Sequence, residues 1–65
     1  MNYEMQVKVI ETNAQGKEVE IFRSVRPVHG TPYRYETEAA AWDALKSLYP
    51  GVMRENLRVI KTMGG

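Results

Sequence analysis

Arg23, Arg26, His29 and Arg34 fall within one run, IFRSVRPVHGTPYRY, and no carboxylate lies between Glu20 and Glu36. Phe22, Tyr33 and Tyr35 are interleaved with them. Guanidinium groups pair with carboxylates or phosphates through two parallel hydrogen bonds, while tyrosines stack on bases or anchor protein interfaces. The run therefore reads as a binding segment whose contact residues are Phe22, Arg23, Arg26, His29, Tyr33 and Arg34. A plainer assignment has Arg23 and Arg26 pairing across strands with Glu4, Glu11 or Glu55 while the tyrosines close the core. Arg54, Arg58 and Lys61 make a second basic group. Beside Arg23 and Arg26 they would extend a stripe suited to nucleic acid; on the opposite sheet edge they would not.

Catalytic patterns are sparse. His29 is the sole histidine and sits in a Gly/Pro loop beside the hydroxyls of Thr31 and Tyr33, where a general base can be imagined, although a lone loop histidine is far more often just solvated. The glycines Gly16, Gly30 and Gly51 are isolated, so no phosphate-cradling loop is present. Cysteine is absent, which removes disulfides and thiolate ligands, and with one histidine a zinc site would need carboxylates for most of its ligands. No catalytic residue, metal or cofactor is assigned. The formal charge of +1 argues against an indiscriminate polyanion binder. No RNP, helix-turn-helix or zinc-finger pattern accompanies the arginines, so a protein partner ranks ahead of nucleic acid. No apolar run approaches a membrane span, and MNYEMQVKV lacks the basic start and continuous apolar core of a signal peptide. The expectation is a cytoplasmic, non-enzymatic protein without a membrane partner.

The elements that must position these groups are legible from periodicity. In TEAAAWDALKSLY, residues 37–49, Ala41, Ala44, Leu45, Leu48 and Tyr49 share one side at about 100° per residue, with Trp42 at the edge. That predicts one amphipathic helix, with Thr37 as its N-cap and with Pro50 and Gly51 as its stop. Tyr3, Met5, Val7 and Val9 alternate with polar residues and predict a strand, broken in phase by Ile10. Asn13 to Gly16 has turn chemistry, and a second strand follows between Lys17 and Arg26. There Val19, Ile21 and Val25 share a phase that Phe22 leaves, which implies either a bulge or an outward aromatic. PVHGTP is a loop, Tyr33 to Tyr35 an extended lead into the helix, and Leu57, Val59 and Met63 the apolar phase of a last strand.

The order is ββαβ. It predicts a single α+β domain over residues 1–65, with a three-stranded antiparallel sheet of order 2-1-3 and the helix on one face. A right-handed crossover is the favoured connection. Ile10, Phe22 and Ile60, one from each strand, would then project from the uncovered face as an apolar cluster. A chain this short buries only about 60% of its unfolded surface and usually recruits a staple. Self-association, as a homodimer through the uncovered face or an edge strand, or docking to a partner remains available.

The terminal Gly64-Gly65 resembles the tail of ubiquitin-like modifiers and small sulfur carriers. That resemblance implies a C-terminal carboxylate activated by an enzyme, on a β-grasp fold. This chain departs from the β-grasp order, with one strand after the helix instead of at least two. The sequence as a whole points to a small binding module acting on proteins, of the kind that serves as an inhibitor or accessory protein of phages or mobile elements. The alternative is a nucleic-acid binder using residues 22–35.

Overall fold

A computed structural model describes residues 2–62. Met63, expected on the helix-facing side of the last strand, and the Gly64-Gly65 tail lie outside the described residues. The alternating first segment forms strand β1 (Asn2–Thr12), followed by β2 (Glu18–Ser24), a two-residue strand β3 (Arg34–Tyr35), helix α1 (Glu38–Leu48), a 3-10 turn at Arg54–Asn56 and strand β4 (Leu57–Thr62). The β1–β2 turn closes as its composition demands. The Asn13 side-chain oxygen accepts from the amides of Gln15 (2.9 Å) and Lys17 (3.0 Å), and Gly16 adopts φ 78°, a conformation that a Cβ would strain.

Strand β1 runs through the centre of the sheet. β2 and then β3 pair along one of its edges and β4 along the other, each antiparallel to it. The ββαβ, α+β architecture and the placement of the last strand beside the first are those the periodicity predicts. The lead-in at Arg34 and Tyr35 goes further than expected: it pairs with Glu4 and Tyr3 and adds a short fourth strand. Pairing of β1 with β2 is continuous from Gln6↔Ser24 to Thr12↔Glu18. No bulge shifts the phase, and Phe22, opposite Lys8, lies on the face away from the helix.

Helix α1 starts where Thr37 accepts a hydrogen bond from the Ala40 amide (3.1 Å), satisfying one of the unpaired first-turn donors. Ala41 and Leu45 are fully buried against Met5 and Leu57, and Tyr3, Val7, Val25, Tyr35, Trp42, Ala44, Tyr49 and Val59 pack around them. Full burial of a side chain such as Leu45 contributes about 1.5–3 kcal/mol, so a core this small leaves little reserve.

Two expectations about that core need correction. Leu48, placed on the buried stripe by periodicity, is 54% exposed, because the helix turns Ala41, Trp42, Leu45 and Tyr49 toward the core, which carries Leu48 to the margin of the buried face. Val9, Val19 and Ile21 keep the helix-side phase but are absent from the core cluster. The physical reason is reach. The helix packs on β1, β3 and β4, whereas β4 pairs with β1 only from Asn2 to Val7. Beyond Val7, β1 and β2 continue as a two-stranded arm.

Candidate functional site

The uncovered sheet face is closed by its own polar side chains. Arg58 Nε donates to Gln6 Oε1 (2.5 Å) and Gln6 Nε2 to Ser24 Oγ (3.1 Å). Ser24 Oγ donates to Glu4 Oε1 (3.1 Å), and Arg34 Nε to Glu4 Oε2 (3.1 Å). This ladder buries Glu4 and Gln6, at 7% and 9% exposure, although no second layer of backbone lies over them. Burial of a carboxylate is costly unless it is paired and hydrogen-bonded; here Arg34 and Ser24 supply both. Among the described residues no buried side-chain N or O lacks a partner.

That ladder corrects the expected apolar cluster. Ile10 stands opposite Glu20, Phe22 opposite Lys8 and Ile60 opposite Glu4. All three share the face, but the polar rungs at Glu4 and Gln6 intervene between Phe22 and Ile60. Phe22 is instead capped by cations, with the Arg58 guanidinium carbon 4.0 Å and Lys8 Nζ 5.7 Å from its ring centroid. Ile10 is 66% exposed on the arm.

The basic segment divides likewise. Arg23 lies on the helix side of the arm and grips Glu11 with two bonds, Nε to Oε2 at 2.8 Å and Nη2 to Oε1 at 2.7 Å. The Arg23 hydrogen bond holds the Glu11 carboxyl below its ordinary value, and Glu11 in turn raises Arg23. Arg34 is committed to Glu4. Arg26 and His29 are exposed, and Tyr33 is tied only through its amide to the Val25 carbonyl (3.2 Å) in the backbone hydrogen-bond network. A cleft of about 360 Å³ brings Phe22, Arg23 and Arg26 together with Gln6, Ser24 and Pro32; His29, Tyr33, Arg34, Ile10 and Ile60 do not line it. The last-strand cations sit on the opposite edge from β2, and of them Arg58 alone reaches across the sheet to Phe22.

A second concavity escaped the sequence reading. Between the end of α1 and the approach to β4, Trp42, Tyr49, Pro50, Val52 and Leu57 wall a groove of about 350 Å³ whose remaining lining residues are Lys46 and Arg54. Trp42, Lys46 and Tyr49 recur at i, i+4 and i+7, the spacing of one helix side, and that was the available signal. Val52, Arg54 and Leu57 join them only because the chain turns back through the 3-10 turn. The Arg54 guanidinium carbon sits 4.9 Å from the Trp42 ring centroid, within cation–π range. Among the described residues neither Lys46 nor Arg54 has an ion-pair partner, in contrast to Lys8, Arg23 and Arg34, which pair with Glu20, Glu11 and Glu4. Flanking the groove along the chain, Leu48 and Met53 are 54% and 63% exposed.

Chemically this is a surface for apolar contact with two fixed positive charges and no acid in its lining. No group of three or more potential metal ligands is found among the described residues, and no described helix is long and apolar enough to cross a membrane. Comparison of the chain with protein-family models, with curated proteins and with solved structures finds no significant match.

Proposed function

We propose that this chain is a non-enzymatic binding module that docks a protein partner, and that the groove beside Trp42 takes an apolar segment carrying carboxylates. The observation that supports this is the combination at one place of an apolar wall, formed by Trp42, Tyr49, Pro50, Val52 and Leu57, and two cations with no ion-pair partner among the described residues. Apolar side chains in such a groove gain burial while acidic neighbours on the same segment meet Lys46 and Arg54, the arrangement by which amphipathic segments dock in grooves. A module of this kind acts by occupying a surface of a larger protein, which is how an inhibitor or accessory protein of phage or mobile-element type would work.

Nucleic-acid binding draws less support. Base stacking needs open aromatic faces; Phe22 is capped by Arg58 and Trp42 by Arg54, which leaves Tyr33, 45% exposed, as the exposed ring of residues 22–35. Two of the arginines in residues 22–35 are already spent on Glu11 and Glu4.

Trp42 is the one tryptophan, so its fluorescence reports on the groove. Titration with a pool of short peptides rich in Asp, Glu, Leu and Phe is expected to shift that emission, and Arg54→Glu to weaken the response by about tenfold, as loss of a charge-assisted contact implies. A flat tryptophan signal with all peptides, together with oligonucleotide binding that falls steeply with salt and maps to residues 22–35, would replace this reading by the nucleic-acid one.

A further inference from the structure

The accessible surface is 4981 Å² for a 7.5 kDa chain, roughly 700 Å² more than the size scaling gives for a compact monomer. The radius of gyration, 12.8 Å, exceeds the roughly 11 Å usual for a domain of this length. Among the longer strands β2 is the least covered: no residue of it belongs to the core cluster, and it pairs with β1 alone.

We infer that β2 pairs with β2 of a second copy, antiparallel about a twofold axis at Ile21, joining the two sheets into one. Backbone directions at both ends of the arm are consistent. Val25 donates its amide to the Met5 carbonyl (2.9 Å), and Asn13 donates to the Lys17 carbonyl (2.8 Å). In an antiparallel ladder, successive residues turn their hydrogen-bonding groups to alternate sides. The odd residues of β2 therefore face β1, whereas Glu18, Glu20, Phe22 and Ser24 turn N–H and C=O outward.

Register follows from charge. An axis at Ile21 uses all of Glu18–Ser24, sets Glu18 opposite Ser24, Val19 opposite Arg23 and Glu20 opposite Phe22 of the other copy, and brings the two Ile21 side chains together on the helix side, each flanked by its own Val9. An axis at Glu20 would oppose two carboxylates, which is destabilising. An axis at Phe22 would run past the end of β2. The occupant is a second copy because the arm's charges are largely neutralised internally, through Lys8–Glu20 (3.4 Å) and Arg23–Glu11 (2.7 Å). The other free edge fails this test, since β4 carries Arg58 and Lys61 and no acid and would repel its own copy.

Glu20→Pro tests the geometry. Its amide points away from β1, so proline at this edge position keeps the monomer ladder intact while removing one intermolecular bond from each copy. Sedimentation equilibrium is expected to give a dimer for the native chain and a dissociation constant raised by at least roughly thirtyfold for Glu20→Pro, with the far-ultraviolet circular dichroism of the native chain. Should that variant fail to fold, hydrogen exchange on the native chain decides: the Glu20 and Phe22 amides are expected to become protected as concentration rises, and concentration-independent, rapid exchange there overturns the proposal. A native chain that stays monomeric up to millimolar concentration also overturns it. Arg54→Glu leaves the dimer intact, so failure at the groove and failure at the arm are read separately.

Discussion

The two halves of β1 share a strand and an alternating pattern, yet they have opposite energetics. From Asn2 to Val7 the strand has neighbours on both edges, the helix on one face and the Glu4–Gln6 ladder on the other. From Lys8 to Thr12 it has β2 alone, and a two-stranded hairpin by itself is marginal in water. Charges follow the same division. In the covered half Glu4 is buried and its pairing is structural; on the arm Glu11 and Glu20 pair at the surface, where ion pairs contribute little. Alternation in a sequence thus marks which side of a strand is apolar, not whether anything covers it.

The sharpest way to break the contrast is to cut the same kind of group from each half. Leu45→Ala, in the covered half, is expected to cost about 2–5 kcal/mol, a large share of the total for a chain of this size, and denaturant melts will read it. Ile21→Ala on the arm is expected to cost well under half of that in the monomer. Equal losses would mean that the arm is part of the core after all.

A smaller effect separates the buried carboxylate from the surface ones. Glu4→Ala leaves Ser24 and Arg34 without their acceptor, and its expected cost is about 1–3 kcal/mol; Arg34→Ala in the same background should add little, because the two share one interaction. Additive losses in that double-mutant cycle would show that the ladder is not a unit.

The smallest effect is a pH dependence on the arm. Glu11 has its folded value depressed by Arg23, so the folded state binds fewer protons than the unfolded one in the acidic range. Its contribution is complete above the ordinary glutamate value and is lost as pH falls through the lowered folded value. Arm amide protection should therefore decline on acidification within that window, and Glu11→Gln should remove the decline. A persistent decline in the variant would assign it to another carboxylate.

Helix, turn and strand order were readable from residues 2–62 because they rest on local rules: the 3.6-residue stripe of α1, the Thr37 cap, the Asn13–Gly16 turn and the alternation of β1. The outward position of Phe22 was one of two readings that periodicity allowed, and the unbroken β1–β2 register selects it. What the tertiary structure alone decided is which neighbours each residue meets across long separations. Gln6, Ser24 and Arg58 form one ladder although 18 and 52 positions separate the bonded pairs. Arg23 takes Glu11, one of three partners the sequence offered it, Arg34 finds Glu4, and Val52 and Arg54 come to lie beside Trp42. Local propensity acts over a few residues and says where chain segments are apolar or charged. Pairing and cover depend on strand lengths and on where the helix ends, and these determine whether an arginine is satisfied within the fold or left facing outward.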